Sequence, residues 1–296
     1  MRVDTQNGQH PAGGSRITWR SLIFQLLAIV VFPLIALLLI ITFSSTILHE
    51  NAMRELVGER DERSARMAAI AIIDQVQQRA NSIRTLAGQV AGVSGEQGTA
   101  VLDNAAYLQS TFDVGMAILK INGEIIASDR NPELWRASTS VLTEGLAALE
   151  KDPAAGIFTS DVLFLPGQPQ GIMFVMAPSA DHQSITVGAF FTAPLIEHVF
   201  ADVYTQNQDT SIAVISPNDQ ILFQQGFNSQ GETIRQHAGV SEALAGKYGT
   251  RYIDVGGSEH VVAFSPIKPL GWALLIEEPW AQVASPVLQT THTAPL

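Results

Sequence analysis

From residue 22 to residue 43 the chain reads LIFQLLAIVVFPLIALLLIITF, a run without a charged side chain in which only Gln25 and Thr42 are polar. As a helix it reaches about 33 Å, the span of a bilayer's hydrocarbon core. Pro33 falls mid-run, where a kink is tolerated in a membrane helix. A cleaved signal peptide is the rival reading. Its apolar core would be about half as long, and Ser44-Ser45-Thr46-Ile47-Leu48 makes a poor cleavage site. The run is therefore expected to be an uncleaved anchor.

The pattern then changes period. Residues 49–91 hold good helix formers and no proline, and from Ala69 the apolar positions step by fours and threes through Ile73, Val76, Ala80, Ile83, Ala87 and Val90. Ile72 and Leu86 widen this stripe. It predicts a long amphipathic helix whose stripe packs on the following domain, pairs with a second copy, or does each on a different face. The charged stretch Glu59-Arg60-Asp61-Glu62-Arg63 reads as a solvated face with local ion pairs. Gly88, Gly92 and Gly95 mark the helix end, and residues 99–112 predict a second, shorter helix.

Strand patterns follow. Ala117-Ile118-Leu119-Lys120-Ile121, Asn122-Gly123 and Glu124-Ile125-Ile126-Ala127 form a hairpin signal, with Asn-Gly expected in a type I′ turn. A loop at Asp129-Arg130-Asn131-Pro132 leads to a helical stretch running through Trp135 to about Lys151. Strands are expected at 156–164, 171–176 and 185–192, then an amphipathic helix at 194–204. Residues 213–223 align without gaps on 117–127, an offset of 96, with Asn218 meeting Asn122 at the turn. Phe174-Val175-Met176-Ala177-Pro178 resembles Val262-Ala263-Phe264-Ser265-Pro266; Ser160-Asp161-Val162 echoes Ile253-Asp254-Val255; Gly188 is matched with Gly271. Stations in the same order predict two tandem copies of one antiparallel-sheet unit with flanking helices, an α+β fold.

Composition narrows the function. Net charge is −11, and residues 1–20 hold three arginines against one aspartate, so the remainder is near −13. The basic N-terminal flank puts the N-terminus in the cytoplasm and everything after about Ser44 outside. An acidic outer part excludes nucleic acid as a partner. The absence of cysteine removes disulfides, thiolate zinc sites and thiol nucleophiles. The first residues, rich in Gly, Gln, Asn and Ser, read as a disordered tail.

Against this background the chain resembles the double Cache (dCache) sensor domains. The likeness rests on the hairpin from Ile118 to Ser128, on Phe158-Thr159-Ser160-Asp161-Val162, and on the strand ending Ala177-Pro178. Its most specific part is Pro266-Ile267-Lys268-Pro269-Leu270-Gly271-Trp272 running into Leu275-Ile276-Glu277-Glu278-Pro279. It covers residues 44 to about 287. The resemblance implies two PAS-like modules on one long helix outside a bacterial or archaeal membrane, sensing a small molecule for a receptor; the anchor, the striped helix and the tandem modules together point to a homodimer of bacterial receptor type. A histidine kinase is the expected output, with chemoreceptors and cyclic-dinucleotide enzymes the other members of this type. The organisation expected is a cytoplasmic tail at 1–20, a transmembrane helix at 21–43 and a stalk and dimerisation helix at 44–95. A membrane-distal module at 96–193, a membrane-proximal module at 194–287 and a polar tail at 288–296 follow. Relatives enter a second membrane helix near that last point, so a truncated receptor and a one-anchor protein are both open readings. The amino-acid-binding subgroup carries a Tyr-Asp-Pro-Arg-x-Arg-x-Trp-Tyr stretch; Asp129 to Arg136 keeps the tryptophan and little else, so an amino-acid ligand is not expected.

No G-x-G-x-x-G, P-loop, G-x-S-x-G or H-E-x-x-H is present, and the seven histidines lack ligand spacing. No enzyme activity, cofactor or metal is expected within the chain. In this fold a pocket forms between the sheet and the loop-helix segment crossing it, and in similar proteins the distal copy binds the ligand. Four residues are singled out there. Asp161 would hold an ammonium or hydroxyl group, Trp135 would cover an apolar or cationic face, and Arg130 would pair with a carboxylate. Phe158, near Asp161, is the fourth. Against these stand plain structural roles: Asp161 capping a turn or pairing with a neighbour, Trp135 and Phe158 in the core, Arg130 solvated. His260 and Asp254 in the second copy have weaker claims. The alternative to a sensor is a single-anchor surface protein that uses its modules for protein contact.

Overall fold

The computed structural model describes residues 19–206, 209–227 and 234–283. Most of the tail expected at 1–20 and all of that at 288–296 lie outside these. The chain divides into two compact units, residues 1–55 and 56–296. In the first, helix α1 (Trp19–Ala87) begins and carries the apolar run, with Pro33 inside it. Its large side chains are exposed, Phe32 and Ile29 by 75% and 72%. An 18-residue window there has a mean hydropathy of 2.9, so the helix is long and apolar enough to cross a membrane.

In the second unit α1 buries Val57, Asp61, Ala65, Ala69, Ile72, Val76, Ala80, Ile83 and Ala87, a set recurring every three or four residues on one face. From Ala69 onward these residues join one hydrophobic core with side chains from both sheets, including Met116, Ile118 and Phe190 from one and Ile212, Val214 and Leu274 from the other, while Val57 packs separately with Val261 and Val283. The predicted stripe is thus taken up within the chain. Gly58 marks close approach to the second sheet, since a Cβ there would lie 3.0 Å from Oγ1 of Thr250. The charged stretch at 59–63 is not wholly solvated: Asp61 is 7% exposed, because its helical phase matches that of Val57 and Ala65.

The first sheet follows α2 (Gly95–Asn104), a 3-10 turn at Ala106–Leu108 and then β1 (Gly115–Lys120) and β2 (Ile125–Ser128). Helices α3 (Pro132–Ala137) and α4 (Thr139–Lys151) cross over to β3 (Phe158–Thr159), β4 (Ile172–Pro178) and β5 (Ser184–Phe191). The strand expected at 156–164 is only two residues long, with one further bridge at Leu163. It breaks at Ser160, whose hydroxyl bonds the Asp161 carbonyl at 2.7 Å and competes with the ladder. Helix α5 (Thr192–Gln206) leads to β6 (Ser211–Ile215), β7 (Ile221–Gln225), α6 (Val240–Leu244), β8 (Gly249–Val255), β9 (Ser258–Ile267) and β10 (Trp272–Pro279). Strand orders are β2-β1-β5-β4-β3 and β7-β6-β10-β9-β8, antiparallel throughout.

The two sheets share their irregularities. A register shift follows Ile118 in the first and Val214 in the second, 96 residues on. The hairpin turn is not type I′, because Gly123 has φ 87° while Asn122 is not among the positive-φ residues. Instead the Gly123 N–H bonds the Lys120 carbonyl, a tight turn closed by one left-handed residue. Asp219 takes that place in the second copy, with φ 63° and its N–H on Ser216. Register also confirms Phe174 with Val262, which pair with Ala189 and Glu277 on the neighbouring strands. Two expected matches shift: Gly188 corresponds to Ile276 rather than Gly271, and Ser160 to Arg251 rather than Ile253. Short loops of unequal length slide a sequence alignment past the true pairing.

Candidate functional sites

In the first module the loop after β2 is pinned to β1. Oδ1 of Asp129 accepts the Met116 N–H at 2.8 Å, and its side chain is 3% exposed. Asn131 takes a left-handed φ of 53° and donates Nδ2 to the Val114 carbonyl at 2.7 Å. Gly115, with φ 143°, has Asp129 and Arg130 atoms within 3.0 Å of a notional Cβ, so only glycine fits under the loop.

Arg130 works within the loop. Its Nε bonds Asp129 at 3.3 Å, and its terminal nitrogens reach the carbonyls of Asp113 and Gln109 at 3.5 and 3.4 Å. Trp135 is 1% exposed, donates Nε1 to the Arg130 carbonyl at 2.9 Å and meets Phe174 edge-on at 6.2 Å. Phe158 is half-buried and packs with Met176 against α4, where Gly145 leaves no space between helix and sheet. Asp161 is exposed, beyond the end of β3. The structure thus brings Arg130 and Trp135 into contact, places Phe158 in the same core as Trp135, and leaves Asp161 outside it. Beside the crossing segment lies a cleft of about 460 Å³, lined by Asn131, Glu133, Leu134, Gln168 and Phe191 among others.

The second module is different. Its cleft, about 580 Å³, lies between the sheet and the crossing segment and includes Phe227, Ile253, Asp254 and three converging polar side chains. Nδ1 of His260 is 2.6 Å from Oε1 of Glu277, and Nε2 of His237 is 2.8 Å from Oε2. All three are largely buried, with Glu277 at 5%. Burial pushes the Glu277 carboxyl up, but the contacts and charges of His237 and then His260 together hold it below the ordinary value. No sequence spacing announced this group, because residues 40 positions apart meet only through strand pairing and the crossing segment. Among the described residues no group of three His, Cys, Asp or Glu is arranged to hold a metal ion.

A third cleft, about 570 Å³, lies where α1 passes α5 and β10, lined by Arg60, Asp61, Met67, Phe200, Ile276 and Glu278 among others.

The fold is shared with solved ligand-binding domains of bacterial chemoreceptors. The ligand-binding domain of the Pseudomonas fluorescens chemoreceptor CtaA, in complex with L-isoleucine, superposes with a TM-score of 0.54 at 14% identity, covering 80% of this chain and 98% of that one. That of the Pseudomonas aeruginosa amino-acid chemoreceptor PctB, in complex with L-Arg, gives 0.52 at 15%, covering 80% and 94%. The ligand-binding domain of Campylobacter jejuni Tlp3, in complex with 4-methylisoleucine, gives 0.53 at 10%, covering 79% and 95%. No protein-family model and no curated protein sequence matches the chain.

Proposed function

We propose that the chain is the sensory region of a bacterial transmembrane receptor, with residues beyond about 44 outside the cell and the apolar run as its membrane helix. The observation that carries this is the architecture: two sheets of one topology rest in a common core on a helix that begins in a membrane-length apolar segment. The reading takes residues 96–193 as the distal module and 194–287 as the proximal one, in a homodimer. It is a binding role rather than a catalytic one. The solved domains of this fold named above hold amino acids or a close analogue, which supports a small molecule as the signal.

The distal ligand site is the cleft beside the crossing segment. None of the four candidate residues lines this cleft directly: Arg130 sets the shape of the loop that leads into it, Trp135 and Phe158 belong to the core of the module, and Asp161 is exposed beyond β3. The reading keeps Arg130 and Asp161 as the residues whose polar groups a ligand would meet. Bound ligand then displaces the sheet against α1, limited by its differential affinity for the two arrangements. Thermal-shift measurements on the full chain in lipid nanodiscs against small metabolites test this. At least one metabolite class raises Tm, and Arg130→Ala weakens that hit. A flat response across all classes sinks the sensor reading; a hit indifferent to both Arg130→Ala and Asp161→Ala moves the site elsewhere.

A further inference from the structure

The register of the two sheets exposes a pair of positions at which they part company. Phe174 faces Ala189 in the first sheet as Val262 faces Glu277 in the second. Two residues along, Ile172 faces Phe191 as His260 faces Pro279. Ala189 therefore stands where Glu277 stands, and Ile172 where His260 stands. In the first module both places are apolar and belong to the core that Trp135 closes. The second module puts a carboxylate and an imidazole there, and brings His237 of the crossing segment down onto them. The fold does not require these groups, since its first copy is built without them, and a buried ion pair adds little net stability.

The two histidines are not equivalent. Nδ1 of His260 is 2.6 Å from Oε1 of Glu277, a contact that a neutral ring makes with its Nδ1–H. His237 has an acceptor at each nitrogen: Oε2 of Glu277 lies 2.8 Å from Nε2, and the Ala238 carbonyl 3.4 Å from Nδ1. A neutral imidazole carries one N–H and serves one of them; the imidazolium serves both. The surroundings favour the cation. Asp254 of β8 lines the same cleft, Glu259 stands opposite it in register, and no lysine or arginine lines the wall. Basic groups on the neighbouring elements are engaged elsewhere. Arg235, on the crossing segment, is held by Asp219, and Arg251 of β8 by Glu242 of α6 at 3.2 Å. Strand β6 presents Ser211 to the cleft, β7 carries no charged side chain, and Glu278 of β10 is met by Arg60 of α1.

We propose that the second module senses protons: uptake of one proton by His237, between Glu277 and the Ala238 carbonyl, draws the crossing segment onto the sheet, and its loss as pH rises releases the segment. This input is separate from the distal cleft. That it is passed on along α1 rests on the receptor reading above.

The test is amide hydrogen exchange on the full chain in lipid nanodiscs at about pH 5.5 and about pH 8, on either side of the ordinary imidazole value, with rates corrected for the intrinsic pH dependence of exchange. Glu277, held below the ordinary glutamate value, keeps its charge at both. A histidine that gains an anionic partner on folding adds stability that is full below its ordinary value and is lost as pH rises through the folded one. Protection across residues 234–244 is therefore expected to be ~10-fold higher at the lower pH, about the worth of one charge-assisted bond. His237→Gln, which keeps a donor but does not titrate, is expected to lose that ratio, and His198→Gln, exposed on α5, to keep it. Equal protection at the two pH values in wild type, or a ratio that survives in His237→Gln, overturns the proposal. If His237→Gln does not fold, a carbon-13 histidine titration of wild type decides. One ring is expected to hold its proton to higher pH than a free imidazole; all seven titrating as free imidazoles overturns the proposal. None of these outcomes touches the distal site, whose metabolite response is read at fixed pH with Arg130 and Asp161 variants.

Discussion

Nη2 of Arg60, on the long helix, stands 3.2 Å from Oε2 of Glu278 on the last strand, while also lying 2.7 Å from its own neighbour Asp61. Thr210 adds a bond to the other Glu278 oxygen at 2.9 Å. One guanidinium thus separates two carboxylates, of which Asp61 is the more buried. Burial raises the Asp61 carboxyl above its ordinary value, opposed by the charge and hydrogen bond of Arg60, with Glu278 adding to the rise.

Removing that guanidinium has a pH signature. Arg60 is itself half-exposed, so the lost pairing is expected to cost only about 1 kcal/mol. An acid whose folded pKa is raised opposes folding above that pKa and ceases to do so as pH falls through it. The Tm deficit of Arg60→Ala is therefore expected to be largest at neutral pH and to shrink as pH falls through the raised folded pKa of Asp61. A deficit independent of pH would show that the Arg60 guanidinium does not stabilise the charged form of Asp61.

Glu277 behaves in the opposite sense. Its folded pKa lies below the ordinary glutamate value, so its contribution is present above that ordinary value and lost as pH falls through the folded one. Glu277→Gln is expected to cost about 1.5–3 kcal/mol at neutral pH, the range for hydrogen bonds to a buried charge. The gap to wild type should close in acid. Urea unfolding of both proteins across the acid range checks it.

Gly145 seats α4 on the sheet. A methyl added there would collide with Sδ of Met176 and lie 2.8 Å from Cδ1 of Phe158. Gly145→Ala ought to gain about 1 kcal/mol from helix propensity. Overpacking costs of about 1–3 kcal/mol should outweigh it. A Tm at or above wild type would mean that α4 has room to lift, and that space for a ligand exists beneath it.

Trp135→Phe is expected to lose about 1 kcal/mol with the Nε1 bond to Arg130, and Trp135→Ala about 3–5 kcal/mol through the cavity left. Chemical denaturation of the two variants separates these terms. If alanine costs no more than phenylalanine, the indole is not part of the core.

How much of this could be read from the chain depends on the range of the interactions. The long helix, its buried stripe from Ala69 to Val90 and the paired hairpins follow from period and turn chemistry, which are local. The hairpin turn was misread because Asn-Gly suits more than one turn, and the chain chose the one needing a left-handed residue only at Gly123. Asp61 was hidden in a charged run: nothing local distinguishes it from Glu59 or Glu62, and only helical phase against the second sheet buries it. Trp135 was legible as a large residue on the crossing segment, but its direction was not, because that is set by Gly115 and Phe174. Glu277, His237 and His260 lie on separate elements and meet through topology alone.

The common core has a mechanical meaning. Met116 and Ile118 from one sheet and Ile212 and Leu274 from the other press on the same face of a single rod. A displacement of either sheet is thereby felt by the same rod, so under the receptor reading proposed above the helix is the one element on which changes in the two modules converge.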